Sequence, residues 1–278
     1  MSYQSILVHA CQSAAAQSRY RLAAQLALAE RAHLSGVALS GATAFLCRSA
    51  AVTAMALLGP AEDDFLTENA RADLAAFAQA ARHAGLPTPA LHLVDDVPAG
   101  GLPLAARYCD LLLIGQTHVP DDLLPDQHAL ARAVVVHAPC PVLVVPPAWQ
   151  ACGVPLYPLV AWDGSMEASR AVRAALPLLR RAASVEVVAF DPPKHGGDGG
   201  AALAALAAYL ACHDIEAVTI ARGSIHDVGA ALLALAQERG RDMLVMGSFG
   251  HSRFREIMLG GATRTVLAEA TLPVLMAH

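Results

Sequence analysis

The chain is written twice, and no other feature of it narrows the possible folds as far. One stretch, "CDLLLIGQTHVPDDLLPDQHALARAVVVHAPCPVLVVP", starts at Cys109; another, "RDMLVMGSFGHSRFREIMLGGATRTVLAEATLPVLMAH", starts at Arg241. They align without a gap, pairing Asp110 with Asp242, Gly115 with Gly247 and Pro141 with Pro273, each 132 residues apart (242 − 110, 247 − 115, 273 − 141). The openings of the copies also match, "ILVHACQS" against "LVAWDGS", with Val8 on Val160 at an offset of 152 (160 − 8). The 20 residues by which these offsets differ fit an insertion in the first copy, "SGATAFLCRSAAVTAMALLGPA". A chain of 278 residues holds two domains of ordinary size. The Pro-rich "PPAWQACGVPLYP" separates them, so the expected domains are residues 1–148 and 153–278.

Within each copy, short apolar runs alternate with helical periodicity. In the second, strands are expected near 157–162, 184–190, 215–221, 242–247 and 273–277, and helices near 166–182, 200–213, 226–239 and 261–270. Pro177 predicts a kink or an early stop in the first of these helices. Strands such as "MLVMG" are apolar throughout, as strands covered on both faces are. The fold class is therefore α/β: two tandem doubly wound domains, each a parallel sheet flanked by helices.

Composition removes several function classes. Net charge is −5 with scattered basic residues, so no nucleic-acid partner is expected. Lys194 is the only lysine, which excludes the Gly-Lys-Ser/Thr of a Walker A loop. Hydrophobic content is 55%, yet no apolar run approaches the ~18–20 residues of a spanning helix, so no membrane is expected. The N-terminal stretch has no basic segment leading into a long apolar core, and the six cysteines form no C-x2-C pair. Both suit a reducing cytoplasm.

The candidate site begins after the strand "LVM". Gly247, Gly250 and Gly260 follow as G-x2-G-x9-G, and Gly260–Gly261 open a helix. In a parallel sheet, ligands bind at the carboxyl ends of strands where strand order reverses. Glycines there let backbone turn and approach a ligand, and the unpaired N–H groups of a helix start favour an anion, most often phosphate. Asp163 ends the first strand of the same copy, where a carboxylate can accept hydrogen bonds from ribose hydroxyls or an adenine amine. Beside Gly164 and Ser165 it is equally placed to make a turn or a helix cap.

On these residues the sequence resembles tandem members of the universal stress protein (UspA) superfamily. The resemblance rests on the repeated "ILVHACQS"/"LVAWDGS", the glycine loop, and the endings "APCPVLVVP" and "ATLPVLMAH". It implies a five-stranded parallel sheet in order 3-2-1-4-5 for each domain, a cytoplasmic location, pairing through the fifth strands, and binding of ATP, ADP or AMP. Pairing would then join the two repeats within the chain, with a further homodimer open. Carried onto this sequence, Asp163 holds ribose and adenine, Ala161 and Val188 flank adenine, and Met246 borders the nucleotide. Gly247, Gly250, Gly260, Gly261 and Ala262 surround the phosphates. The family places Ser or Thr directly after the third glycine, where this chain has Gly261; Thr263, Ser248 and Arg253 are the candidates to replace that hydroxyl. In the first copy Cys11 stands at the Asp163 position, His118 at Gly250, and His128 with Ala129 at Gly260–Gly261. That copy is expected to hold a filled, degenerate pocket, with Cys11, His118 and His128 as soft-metal ligands the alternative.

No G-x-S-x-G or H-E-x-x-H motif occurs, so dedicated catalysis is not expected. Three readings compete: a nucleotide-responsive stress or regulatory protein, a slow ATPase, and a chaperone-like interaction scaffold that binds no nucleotide. The first is preferred.

Overall fold

In a computed structural model the apolar runs are strands of one continuous sheet, its ten strands ordered β3-β2-β1-β4-β5-β10-β9-β6-β7-β8. The structure describes residues 2–13, 16–41, 61–116, 129–150, 153–190, 199–248 and 261–278. The first repeat contains β1 (Ser5–His9), α1 (Ala16–Glu30), β2 (His33–Leu39), α2 (Ala61–His83) and β3 (Ala90–Val94). It continues with α3 (Pro98–Ala105), β4 (Leu111–Gly115), α4 (Ala129–His137) and β5 (Val142–Val145). The second contains β6 (Pro158–Ala161), α5 (Met166–Leu179), β7 (Val185–Phe190), α6 (Gly199–Ala211) and β8 (Ala217–Arg222). After it come α7 (Val228–Glu238), β9 (Met243–Gly247), α8 (Gly261–Glu269) and β10 (Val274–Ala277).

Each repeat has the strand order 3-2-1-4-5, parallel throughout. Strand centrality follows the sequence: every residue of β4 and β5 is buried, whereas the edge strands β3 and β8 have no buried residue. Alternation along β4 feeds two cores, Leu111 and Leu113 entering the one on one face, Leu112 and Ile114 the other. Burying a side chain of that size contributes about 1.5–3 kcal/mol. The repeated aspartates have one job: Asp110 Oδ2 accepts from Gln4 N and Ser5 N (2.7 and 3.0 Å). The Asp242 carboxylate does the same for Leu156 N and Tyr157 N (2.8 and 2.7 Å). Each ties the amino end of strand one to that of strand four.

The repeats join through β5 and β10, which run antiparallel with Val144 opposite Val274 and Val142 opposite Met276. Helical contacts support this seam: Tyr3 Oη donates to Ala174 O at 2.6 Å, and Arg181 pairs with the buried Glu30 carboxylate. Gln116 Nε2 donates to Leu267 O and Ala268 O (2.8 and 3.1 Å). Among the described residues no helix is long and apolar enough to cross a membrane.

Two expectations need correction. Helix α5 does not break at Pro177; it runs on to Leu179, where Arg180 N closes onto Leu176 O at 3.0 Å. Pro177 lies in the last turn, and the buried Leu178 and Leu179 hold that turn in place. Nor does the extra length of the first repeat fall wholly between β2 and the next helix. Helix α2 has 23 residues against 13 in α6, so part of it is helix. Most of the segment proposed as the insertion lies outside the described residues.

Candidate functional site

The carboxyl ends of β7, β6 and β9 form the central part of the candidate site. Ala161 is in register with Val188 on one side, and the β6–β9 pairing at Val160–Val245 brings Met246 next to it on the other. All three side chains belong to the same core face, Val188 and Met246 buried and Ala161 half-buried. They form a short apolar row at the end of the sheet, where strand order reverses between β6 and β9.

Asp163 follows two residues after the row and is exposed. Its Oδ1 accepts from Ser165 N at 2.9 Å across Gly164, whose φ is +75°. Ser165 then caps α5, its Oγ accepting from Ala168 N at 3.0 Å. Asp163 therefore takes the turn role, one of the two that its place in the sequence allows.

Gly247 needs to be glycine for a reason the sequence did not supply. A Cβ there would sit 2.5 Å from Ala168 N and 2.7 Å from the Glu167 carbonyl carbon. The missing side chain makes room for the first turn of α5. Ser248 is fully buried, and its hydroxyl donates to Ala277 O at 3.0 Å, so it does not stand in for the missing hydroxyl at position 261. Thr263 is also buried. Gly261 is the exposed first residue of α8, where a Cβ would meet nothing within 4 Å, and Ala262 beside it is half-buried. The amino end of α7 positions that turn, because a Cβ on Gly229 would lie 2.8 Å from Ala262 O. Gly250, Arg253 and Gly260 lie outside the described residues.

A cleft of about 430 Å³ opens beside Asp163, between α5 and α6, walled by Trp162, Ser169, Val172, Arg173, Leu206 and Tyr209. It lies on the opposite face of the sheet from the Ala161 row, since Trp162 and Tyr209 pack against the other core. It is thus distinct from the switch-point site.

In the first repeat the place of Ala161 is taken by the buried His9, and a buried arginine covers the same strand ends on the α1 face. Arg19, in α1, is fully buried; Nε donates to His9 O at 3.2 Å, Nη1 to Ser13 Oγ at 3.4 Å and Nη2 to Cys11 Sγ at 3.2 Å. A Cβ on Gly115 would meet Arg19 Nη1 at 2.5 Å. Tyr20 Oη accepts from Cys11 N at 3.0 Å, fixing the residue that aligns with Asp163. Burial, with the Arg19 charge added, pushes the His9 imidazole down to about 3. At the 152-residue offset Arg19 aligns with Ala171, so the second repeat has no such side chain. A helical arginine gave no signal in sequence that it turns inward. Of the alternative ligand set Cys11, His118 and His128, Cys11 alone is described, and among the described residues no cluster of three metal ligands occurs.

Residues 159–278 match the family model described as the Universal stress protein family. No curated protein matches the chain by sequence. Among solved structures, a universal stress protein from Archaeoglobus fulgidus DSM 4304 is 17% identical with a TM-score of 0.70, over 98% of this chain and 97% of that one. A functionally unknown protein from Pseudomonas aeruginosa PAO1 is 18% identical with a TM-score of 0.59, over 99% and 92%. At these identities the likeness is one of fold, and it extends over both repeats.

Proposed function

We propose that this protein, whose second repeat matches the Universal stress protein family model, binds one adenine nucleotide per chain, as ATP, ADP or AMP, and acts as a nucleotide-responsive stress or regulatory protein. The observation that carries the proposal is the contrast between equivalent places: the buried His9 imidazole stands in the first where the small, half-buried Ala161 stands in the second, beside Val188 and Met246. In this reading Ala161 and Val188 flank the adenine and Met246 borders it. Asp163 accepts from ribose hydroxyls. Gly250, Gly260, Gly261 and Ala262 present backbone N–H groups to phosphate, with Arg253 adding charge and Gly247 shaping the turn ahead of them. Residues 1–148 form a domain with a degenerate site and 153–278 the working one, in a protein of the cytoplasm. Its function is binding, with ATP hydrolysis at most slow.

Calorimetric titration with ATP, ADP and AMP tests this. One nucleotide should bind per chain, and Asp163→Ala should weaken it by about 1–3 kcal/mol. Asp163→Asn, which keeps an acceptor for Ser165 N, controls for the turn. Gly250→His, copying the first repeat, should weaken binding further. Two nucleotides per chain, or wild-type affinity in both Asp163→Ala and Gly250→His, would overturn the assignment. No binding of any nucleotide would favour the scaffold reading.

A further inference from the structure

Two thiols of the first repeat touch. Cys109 Sγ and Cys140 Sγ are 3.7 Å apart. Cys109 follows the short 3-10 turn Ala106–Tyr108 and precedes β4, while Cys140 lies between α4 and β5. The strands behind them are hydrogen-bonded neighbours, Leu112 opposite Val142, so the main chain holds the pair together. Both cysteines are half-buried. The second repeat has nothing equivalent. At the 132-residue offset Cys109 becomes Arg241, paired with Glu186 at 2.7 Å, and Cys140 becomes the buried Leu272.

We propose that Cys109 and Cys140 form a peroxide-responsive dithiol that closes to a disulfide within the first repeat. Neither thiol belongs to the nucleotide reading, and the inference stands without it.

The two sulfurs have different roles. Cys109 Sγ donates to Ala106 O at 3.5 Å, which leaves the Cys140 thiol to donate at the sulfur contact; that bond holds the Cys109 thiol below its ordinary range, aided by nearby backbone groups and opposed by burial. The same hydrogen bond, with burial, raises Cys140. Cys109 is therefore the nucleophile and Cys140 the resolving thiol. The Cys109 thiolate attacks one oxygen of hydrogen peroxide; the O–O bond breaks, an S–O bond forms, and hydroxide leaves as water after taking a proton. Cys140 sulfur then attacks the Cys109 sulfenic acid. The S–S bond forms, the S–O bond breaks, and the departing hydroxide takes the Cys140 proton. Two thiols and one peroxide give one disulfide and two waters. Bringing sulfurs from 3.7 Å to the bonding distance of about 2.05 Å takes side-chain rotation, since the backbone already places the pair.

The test treats the reduced full-length chain with increasing hydrogen peroxide and maps its peptides without reduction. The expected product is an intrachain peptide joining Cys109 to Cys140, two hydrogens lighter than its parts. In Cys140→Ser, dimedone should label Cys109; in Cys109→Ser, it should leave Cys140 unlabelled. The oxidised wild-type chain should melt several degrees higher than the reduced chain, because residues 110–139 become a closed loop. The proposal fails if the exposed Cys212 oxidises while Cys109 and Cys140 remain fully alkylatable after unfolding. It also fails if these two cysteines cross-link between chains, or if dimedone marks Cys140 in Cys109→Ser as readily as Cys109 in Cys140→Ser.

Discussion

Gly247→Ala separates two reasons for keeping a glycine at the mouth of the candidate site. The new methyl would lie 2.5 Å from Ala168 N, 2.7 Å from the Glu167 carbonyl carbon and 2.9 Å from Glu167 Cβ. Two of those atoms are backbone, in a turn already fixed by the Ser165 cap at 3.0 Å. Ordinary contact begins near 3.4 Å, so α5 must retreat by about 1 Å. Overpacking of this kind costs about 1–3 kcal/mol. At about 2–4 °C per kcal/mol for units of this size, the melting temperature should fall by about 2–12 °C. Two matched substitutions calibrate the result. Gly115→Ala meets the end of one side chain, Arg19 Nη1 at 2.5 Å, with the next contact at 3.5 Å, and should cost less, about 1 kcal/mol. Gly261→Ala meets nothing within 4 Å at the start of a helix and should be neutral or stabilising by up to ~0.5–1 kcal/mol. Thermal unfolding followed by circular dichroism, with nucleotide affinity measured in parallel, orders the three. A wild-type melting temperature in Gly247→Ala, combined with lost nucleotide binding, would show that the glycine serves ligand approach and that the packing account is wrong.

Gly261→Ser should raise affinity for ATP over AMP by roughly tenfold, since the added hydroxyl starts from open space and a hydrogen bond to a charged group is worth about 1.5 kcal/mol; equal gains for both nucleotides in paired titrations would place the hydroxyl away from the outer phosphates. Asp242→Ala should lower stability by about 1–3 kcal/mol, because Leu156 N and Tyr157 N lose their acceptor, and Asp110→Ala should do the same in the first repeat. An unchanged denaturation midpoint in guanidinium chloride would refute it. His9 is neutral in the fold down to about pH 3 and takes a proton near 6.5 when unfolded, so stability should fall as pH drops from about 6.5 to 3. His9→Met should flatten that decline, and pH-dependent melting curves that coincide for the two proteins would argue against a buried neutral imidazole.

The repeat made the fold legible because it is a relation between distant residues. Offsets of 132 and 152 fix which strands correspond, and the pairing of β5 with β10 follows the resemblance that those endings carry. Ala161, Val188 and Met246 came from the family resemblance, and the strand pairings set the three side by side. Reasons that depend on what a side chain meets were not legible. Gly247 has the same neighbours in sequence whether it faces a ligand or the first turn of α5. Arg19 lies in a helix among Ser18, Tyr20 and Arg21, and no periodicity marks it as fully buried rather than solvated. Pro177 looked like a breaker because its cost is local, while the burial of Leu178 and Leu179 that offsets it comes from the tertiary fold.

The antiparallel seam gives the first repeat a structural role that does not depend on a ligand site of its own. Because β5 and β10 run in opposite directions, the carboxyl end of β4–β5 lies beside the amino end of β10, where α8 terminates. Gln116, the first residue after β4, spans that junction and donates to Leu267 O and Ala268 O, at the end of α8 where helix carbonyls lack partners of their own. The corresponding residue of the second repeat, Ser248, is too short to cross and instead bonds Ala277 O within its own repeat. The seam is therefore asymmetric: the first repeat anchors the far end of the helix whose near end, at Gly261, is the proposed phosphate site. Gln116 N bonds Val145 O within the first repeat while its side chain reaches across the seam. On this arrangement the first repeat helps hold α8 in register for the proposed nucleotide site of the second.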